Sequence, residues 1–345
     1  MSLKHLLGIE LPLIQAPMAG AQGSALASAV SNAGGLGSLP CAMLGIDAMR
    51  AEFGNIRAQT RGPFNANFFC HAPPHPDPER ERTWAAVFAR YYAELDIDMA
   101  ALPPVAARLP FNRAMAELVC ACRPDVVSFH FGLPSPELLA LVRSSGARIL
   151  SSATTVEEAL WLESRGVDAV IAQGLDAGGH RGMFLTQDMH TQMGTFALLA
   201  QVVAAVKVPV IAAGGIADAR GVRAALELGA SAVQIGTAYL LCPEATTSQV
   251  HRTALQSDSA RRTAVTNLFT GRPARGIVNR LMRELGPIHP DALQFPLAAT
   301  ASLPLRQKAE ALGSGDFSPL WAGQNTSGCR PVAAQWLTRE LAGLA

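Results

Sequence analysis

One histidine stands in a cluster of glycines in the stretch IAQGLDAGGHRGMF, residues 171–184. Gly178 and Gly179 come directly before His180, and glycines remove side chains where a ligand must approach the backbone. An imidazole titrates near neutral pH, so His180 can take a proton from a carbon acid or return one. We therefore predict that His180 is the catalytic residue. The alternative is a histidine that only hydrogen-bonds a cofactor or the loop backbone.

Eight short apolar runs provide the elements that would position this loop. They occupy residues 11–18, 36–40, 64–69, 126–132, 148–153, 169–174, 209–215 and 232–240. Nearly continuous apolar runs are typical of strands covered on both faces, and the amphipathic stretches between them predict crossover helices. Eight parallel strands can close a barrel. We therefore predict an α/β fold, a (β/α)8 TIM barrel, with an open doubly wound sheet as the alternative.

Two parts of the chain depart from this alternation. Residues 70–125 contain the proline-rich break HAPPHPDPERER and predict an enlarged loop with one or two extra helices. After residue 240 the strand and helix alternation stops. We therefore predict a barrel domain of residues 1–243 and an added, mostly helical substrate-side unit of residues 244–345, which covers the active-site end.

Neutral polar side chains stand at the carboxyl ends of the predicted strands, where such barrels bind ligands. The residues at these ends are Ala16, Pro17 and Met18, then Asn67, His130, Ser151 with Ser152, and Gln173. Amides and hydroxyls suit a heteroaromatic ring with several donors and acceptors. No carboxylate pair is among them, which argues against glycosidase or two-metal hydrolase chemistry, and we predict no metal site. His130 could equally be a satisfied histidine of the barrel mouth, and Asp176, the one acid nearby, is typical of a structural loop residue.

Glycines mark the ends of the last two predicted strands. The residues there are Ala213, Gly214, Gly215, Gln234, Gly236 and Thr237. Backbone N–H groups at two adjacent loops can surround a phosphate, and we predict such a site. The alternative is that the glycines only let helix and strand pack closely. Neither a dinucleotide-binding G-x-G-x-x-G after the first strand nor a P-loop is present in the sequence.

Composition excludes several classes of protein. The 345 residues carry a formal net charge of +1, which gives no global attraction to nucleic acid or to a membrane surface. Six arginines between residues 261 and 284 are interpreted as a solvated face, with local anion binding as the alternative. The sequence has no apolar run long enough to span a membrane and no signal-peptide pattern, so we expect a cytoplasmic protein.

Several motifs occur in order along the chain. They read LIQAPMAG, AQGLDAGGHRGMF, QMGTFALLAQVV, PVIAAGGI, GASAVQIGTAYLLCPEA, TGRPARGIVNRL and SPLWAGQ. Together they resemble the nitronate monooxygenase family from about residue 8 to residue 325, and DAGGHRGMF with LWAGQ is similar to its class I branch. The resemblance implies that non-covalently bound FMN oxidises alkyl nitronates, such as propionate 3-nitronate, with dioxygen to a carbonyl compound and nitrite.

The resemblance also implies roles for individual residues. His180 would be the base that acts on neutral nitroalkanes, and His130 and Phe295 would contact the substrate. The residues that would bind FMN are Ala16, Pro17, Met18, Asn67, Ser151, Gln173, Gly178, Gly179, Ala213, Gly214, Gly215, Gln234, Gly236, Thr237, Trp321 and Gln324. The expected partners are a nitronate and dioxygen, in a monomer or homodimer.

One segment departs from the class I pattern, which has tyrosines and a lysine before the W-A-G-Q motif. Residues 292–320 contain no tyrosine, Phe295 stands where an aromatic residue is expected, and Lys308 need not match the lysine. We therefore expect a different or larger substrate. Two other enzyme classes fit the residues, an NAD(P)H:quinone or enoyl reductase on the same FMN barrel and a non-flavin phosphate-binding barrel. A flavin-binding protein without turnover is a further alternative.

Overall fold

Eight parallel strands form a barrel in the computed structural model, which describes residues 3–98 and 108–344. The strands of the chain are β1 Leu13–Gln15, β2 Gly37–Pro40, β3 Phe64–Phe69, β4 Val126–His130, β5 Arg148–Ala153, β6 Ala169–Gln173, β7 Gly179–His180, β8 Val210–Ala213, β9 Ala232–Ile235, β10 Thr263–Thr266 and β11 Ala274–Ile277. The barrel order is β1-β9-β8-β6-β5-β4-β3-β2. A parallel bridge between Ile14 and Leu36 joins β1 to β2 and closes the cylinder. The predicted (β/α)8 TIM barrel is confirmed.

Helices follow the strands in the expected alternation. The helices of the described residues are α1 Leu3–Leu7, α2 Ser24–Asn32, α3 Ile46–Gln59, α4 Pro78–Glu94, α5 Arg113–Cys122, α6 Pro136–Ser144, α7 Val156–Ser164, α8 Thr195–Ala205, α9 Ala219–Glu227, α10 Gln249–Leu255, α11 Arg280–Leu285, α12 Ala299–Ala311 and α13 Ala334–Leu341. The helix α9 begins at an Asp218 cap, whose Oδ1 accepts from Gly221 N at 2.8 Å. Such caps satisfy backbone donors that the first turn leaves free.

The barrel core is continuous with the layer of helices around it. Inside the cylinder, Ile14, Leu150 and Ile211 lie in one apolar cluster with Leu3 and Leu7 of α1, which closes the amino-terminal end. The opposite, carboxyl end of the strands carries the loops. The outer apolar cluster joins the strands to the surrounding helices, so the barrel is covered on both faces as continuous apolar runs require.

The added unit contains a small antiparallel sheet as well as helices. Strands β10, β11 and β7 form this sheet, in which Ala274 of β11 pairs with His180 of β7. The helix α4 belongs to the enlarged loop and packs on α12, where Trp84 Nε1 donates to the Ala298 carbonyl at 3.0 Å. The rest of the predicted loop includes residues 99–107, which lie outside the described residues.

The last helix returns to the barrel layer. The apolar side chains of α13, Leu337 and Leu341, belong to the barrel cluster and lie against α2 and α9. The chain after residue 243 therefore contributes both to the added unit and to the layer of helices around the barrel. The predicted domain boundary at residue 243 stays a prediction. Within residues 3–98 and 108–344, no helix combines the length and apolar character that crossing a membrane requires.

Candidate functional site

A cavity of about 530 Å³ opens at the carboxyl ends of the strands. Of the residues predicted from the sequence, those that line it are Ala16, Pro17, Met18, Asn67, His130, Gln173, Gly178, Gly179, His180, Ala213, Gly214, Gly215, Gln234, Gly236, Thr237 and Trp321. Its roof is one face of α12, to which Thr300, Leu303 and Arg306 contribute. The barrel end and the added unit thus enclose one space between them.

His180 is held on the wall of this cavity by a hydrogen bond from the added unit. Its Nε2 lies 2.9 Å from Thr270 Oγ1, in the turn between β10 and β11. The other ring nitrogen, Nδ1, has no hydrogen-bond partner among the described residues. Burial lowers the pKa of His180 well below 6.5, and the nearby charge of Arg108 lowers it further. The imidazole is therefore neutral at pH 7 and able to accept a proton.

The backbone of the His180 loop is fixed by two side chains from the barrel. Gln173 Nε2 and His130 Nε2 both lie within hydrogen-bond distance of the His180 carbonyl, at 2.9 and 3.2 Å. Gln173 Oε1 accepts from Gly182 N at 2.7 Å, and His130 Nδ1 lies 3.0 Å from Ser152 Oγ. Because both polar atoms of each side chain have a partner in the protein, Gln173 and His130 are fixed themselves and position the loop that carries His180.

Aromatic rings surround the imidazole on its other sides. The rings of Phe295 and Trp321 lie 5.4 and 5.5 Å from that of His180 between centroids, and Phe69 lies at 6.2 Å. Phe295 is 4% exposed and stands behind the imidazole, whereas its neighbour Pro296 lines the cavity. The ring contacts restrict the orientation of His180 and help to desolvate it.

Glycines at the far end of the cavity adopt conformations that other residues avoid. Gly214 and Gly215 have φ values of +122° and +68°, and a Cβ on Gly214 would lie 2.6 Å from Thr195 Oγ1. Thr237 Oγ1 accepts from Gly323 N at 3.0 Å. Asp176 has the structural role expected for it, since its Oδ2 accepts from both Thr195 N and Thr195 Oγ1.

A side chain at Gly178 would disrupt this region. A Cβ there would lie 2.5 Å from Gly323 N and 2.6 Å from the Ala322 carbonyl carbon, and backbone cannot yield as a flexible side chain can. We expect Gly178→Ala to lower the free energy of unfolding by about 1–3 kcal/mol and to weaken ligand binding in the cavity. Gly45→Ala is the matched control, because a Cβ at Gly45 meets nothing within 4 Å. Urea denaturation of both variants measures the difference, and equal stabilities would contradict the expectation.

Among residues 3–98 and 108–344, two arginines and no carboxylate line the cavity. Burial lowers the pKa of Arg108, and the charge of Arg306 lowers it further, yet no acid of the described residues forms an ion pair with Arg108. Arg306 Nε donates to Glu310 Oε1 at 2.8 Å, in a pair that lies partly in solvent. The excess of positive charge makes the cavity favourable for anions.

Three of the predicted residues lie elsewhere. Ser151 is fully buried and donates to the Gly132 carbonyl at 3.0 Å, so Ser152 and Ser128 line the cavity instead. Phe295 supports His180 from behind, and Gln324 donates its backbone N–H to the Asp176 carbonyl at 3.0 Å.

The lining residues that sequence reasoning missed include Phe69, Arg108, Thr270 and Arg306. Arg272 and Arg275, from the arginine-rich segment, donate to the Met183 and Leu175 carbonyls rather than to a ligand. Thr270 precedes both arginines, in the turn between β10 and β11. We interpreted the arginine-rich segment as a solvated face, which is wrong for Arg275, because that residue is only 5% exposed.

Two buried histidines should make stability depend on pH. Burial lowers the pKa values of His130 and His251 from 6.5 to about 4. The unfolded chain therefore binds protons first, so stability is full above pH 6.5 and falls as the pH drops towards 4. We expect a loss of about 2 kcal/mol per histidine over most of this range, measured by urea denaturation. His251→Asn should reduce the slope, exposed His190→Asn should not, and a flat profile would contradict the expectation.

The family model described as nitronate monooxygenase matches residues 1–342 of the chain. A nitronate monooxygenase of Pseudomonas aeruginosa is 44% identical over 98% of this chain and 97% of its own length. One from Paraburkholderia phytofirmans is 41% identical over 99% of this chain and 93% of its own.

Two solved structures are similar to this chain over nearly its whole length. Nitroalkane oxidase from Streptomyces ansochromogenes has a TM-score of 0.90 and 38% sequence identity, and the match covers 99% of this chain and 97% of that one. FabK from Thermotoga maritima has a TM-score of 0.75 and 26% identity, and the match covers 100% of this chain and 96% of that one.

Proposed function

The chain belongs to the nitronate monooxygenase family, and on that premise we propose that it oxidises alkyl nitronates with FMN and dioxygen. The products would be a carbonyl compound and nitrite, and propionate 3-nitronate is a candidate substrate. One observation carries the proposal: an oriented imidazole, His180, lies on the wall of a cavity to which the described residues contribute two arginines and no carboxylate. Such a cavity favours an anionic substrate, and the His180 imidazole can accept the proton of the neutral nitroalkane from which that anion forms.

The residues present fit FMN. Gly214, Gly215 and Gly236 line the cavity and have no side chains to cover their backbone N–H groups. This arrangement suits a phosphate bound by those groups. Gln234 Oε1 is buried and has no hydrogen-bond partner among the described residues, as expected for a group that bonds a ligand. Asn67 and the backbone of residues 16–18 would hold the ring, and Thr237 would support the phosphate end. Bound FMN would supply the redox chemistry, taking electrons from the nitronate and passing them to dioxygen.

His180 would perform the proton transfer when the substrate is a neutral nitroalkane. We assign Nε2–H as the donor to Thr270 Oγ1, which is the tautomer in which Nδ1 is unprotonated. Nδ1 then removes the proton from the carbon that bears the nitro group. Gln173 and His130 contact the His180 carbonyl and would hold the backbone of the loop in place during the proton transfer. A nitronate supplied as such needs no proton removal, so His180 would only orient it.

Anaerobic mixing of the purified protein tests the proposal. We expect a flavin absorbance that propionate 3-nitronate bleaches rapidly and NADH bleaches slowly or not at all. The similarity to FabK keeps a reductase as the second candidate, and rapid bleaching by NADH alone would favour it. A colourless protein that takes up no added FMN would overturn both.

A further inference from the structure

One buried carboxylate, that of Glu158, has no part in the proposed reaction. The residue is completely buried and lies in the first turn of α7. Its Oε2 accepts from Thr154 N at 2.7 Å and from Thr154 Oγ1 at 2.8 Å, directly after β5. Its Oε1 accepts from Phe184 N at 2.5 Å and from Leu185 N at 3.2 Å. One side chain therefore joins the end of a barrel strand to the far end of the His180 loop.

Helix capping does not account for this carboxylate. Thr155 is the N-cap of α7, and its Oγ1 accepts from Glu158 N at 3.2 Å, which is half of a capping box. In a complete box the glutamate side chain returns to the N–H of the N-cap residue. The Glu158 carboxylate instead accepts from Thr154 and from the distant pair Phe184 and Leu185. Its contact with the loop is therefore a separate feature of the fold.

A carboxylate suits these contacts better than a neutral side chain of the same size. Its two oxygens accept from four donors, whereas a glutamine would direct an NH₂ group at two of them. Burial of a carboxylate is costly unless hydrogen bonds and opposite charge offset it. Burial lowers the pKa values of Arg181 and Arg272, and the negative charge of Glu158 opposes that shift. Arg181 belongs to the loop, and Arg272 donates to the Met183 carbonyl within it.

The loop that Glu158 holds packs against the residues that fix His180. Gly182 N donates to Gln173 Oε1 at 2.7 Å, and a Cβ on Gly182 would lie 2.8 Å from His130 Cε1. Gln173 and His130 in turn contact the His180 carbonyl. Movement of the far end of the loop would therefore displace Gly182 against both side chains that hold the backbone of His180.

We propose that Glu158 is a positioning residue for the proton transfer by His180, because it holds the far end of the His180 loop to the end of β5. The inference rests on the proposed function, in which His180 removes a proton from a neutral nitroalkane. A base must lie within hydrogen-bond reach of the proton that it removes, and a displacement of about 1 Å can cost roughly 100-fold in rate. A preformed nitronate needs no such transfer, so loss of the Glu158 contacts should affect the nitroalkane selectively.

Glu158→Gln and Glu158→Asp test the proposal in the holoenzyme. Glutamine removes the charge and two acceptor positions, whereas aspartate keeps the charge but is shorter by one methylene, so it should not reach both Thr154 and the loop. In each variant we expect kcat/KM for nitroethane to fall about tenfold relative to kcat/KM for ethyl nitronate. A fold that is only less stable would lower both values by the same factor, because it lowers the amount of active enzyme.

Glu163→Gln is the matched control. Glu163 lies on the same helix, and its Oε1 also accepts from two consecutive backbone N–H groups, those of Lys207 and Val208, at 2.5 and 3.1 Å. These two residues precede β8, at the end of the barrel opposite the cavity. The control should leave the ratio of the two substrates unchanged. A wild-type ratio in both Glu158 variants, or an equal fall in Glu163→Gln, would overturn the proposal.

Two measurements without turnover separate this inference from the proposed function. Amide hydrogen exchange in Glu158→Gln should become faster across residues 180–185 than in the barrel strands, and the nitrogen NMR shifts of the His180 ring should change. If the wild-type protein oxidises neither nitroalkane nor nitronate, the proposed function fails, and these measurements decide on Glu158 alone. Unchanged exchange in the loop would then overturn the positioning role, and faster exchange confined to the loop would support it.

Discussion

Replacement of His180 by asparagine should remove most turnover of neutral nitroalkanes while the protein keeps its cofactor. A positioned general base contributes about 10²–10⁴-fold to such a proton transfer, and kcat/KM should fall by that factor. Preformed nitronates should lose far less, because their proton is already gone. Asparagine is smaller than histidine, carries no base, and leaves the carbonyl that Gln173 and His130 contact in place.

The measurement is steady-state kinetics on a nitroalkane and on its nitronate, together with the flavin spectrum of each preparation. Exposed His190→Asn is the control. Because burial lowers the pKa of His180 well below 6.5, the acid limb of the nitroalkane profile should lie below that pH in the wild type. Thr270→Val should shift that limb, since it removes the hydroxyl that lies 2.9 Å from Nε2. Equal losses on both substrate forms in His180→Asn would refute its role as a base.

Replacement of Arg181 by methionine should destabilise the protein by about 3–5 kcal/mol. Arg181 is completely buried, and its guanidinium donates to the Gly174 carbonyl at 2.6 Å, the Gln173 carbonyl at 2.7 Å and Gln192 Oε1 at 2.9 and 3.0 Å. Methionine fills similar space but leaves these buried acceptors without a donor. The loop that carries His180 begins at two of those carbonyls, so it should loosen as well.

Urea denaturation of Arg181→Met and of a control checks this expectation. Arg143→Met is the suitable control, because Arg143 also donates to two loop carbonyls, those of Arg165 and Gly166, but on the exposed surface. Its loss should be within about 1 kcal/mol, since water replaces the lost donors. A loss for Arg181→Met no larger than that of the control would show that the buried guanidinium is not a structural requirement.

The barrel could be predicted because its signal is local. The run FNANFF was predicted as a strand and forms β3, Phe64–Phe69, since apolar and β-forming residues in sequence need only a sheet on which to lie. The first run was predicted over residues 11–18, yet β1 is only Leu13–Gln15. The residues that follow, Ala16, Pro17 and Met18, line the cavity instead, as the strand-end argument required.

The side of a strand on which a residue lies was harder to predict. Ser151 and Ser152 are adjacent, and adjacent strand residues point to opposite faces. A pair of serines therefore guarantees that one reaches the cavity, but the sequence does not say which. Ser152 and not Ser151 does so, while Ser151 bonds to a carbonyl.

Long-range contacts could not be predicted at all. Thr270 is 90 positions from His180 along the chain, and no spacing pattern connects a turn in the added unit to a loop after the sixth barrel strand. The strand β7 has only two residues, Gly179 and His180, and neither favours a strand; pairing with β11 holds them in this conformation. His251 of α10 and Arg306 of α12 are likewise distant in sequence, and both line the cavity.

The pairing of β7 with β11 means that the barrel and the added unit each form part of the site. The barrel supplies the glycine-lined end of the cavity, whereas the orientation of the imidazole depends on a hairpin encoded almost a hundred residues later. Substitutions in that hairpin should therefore change the orientation of the His180 ring while the glycine-lined end of the cavity stays as it is.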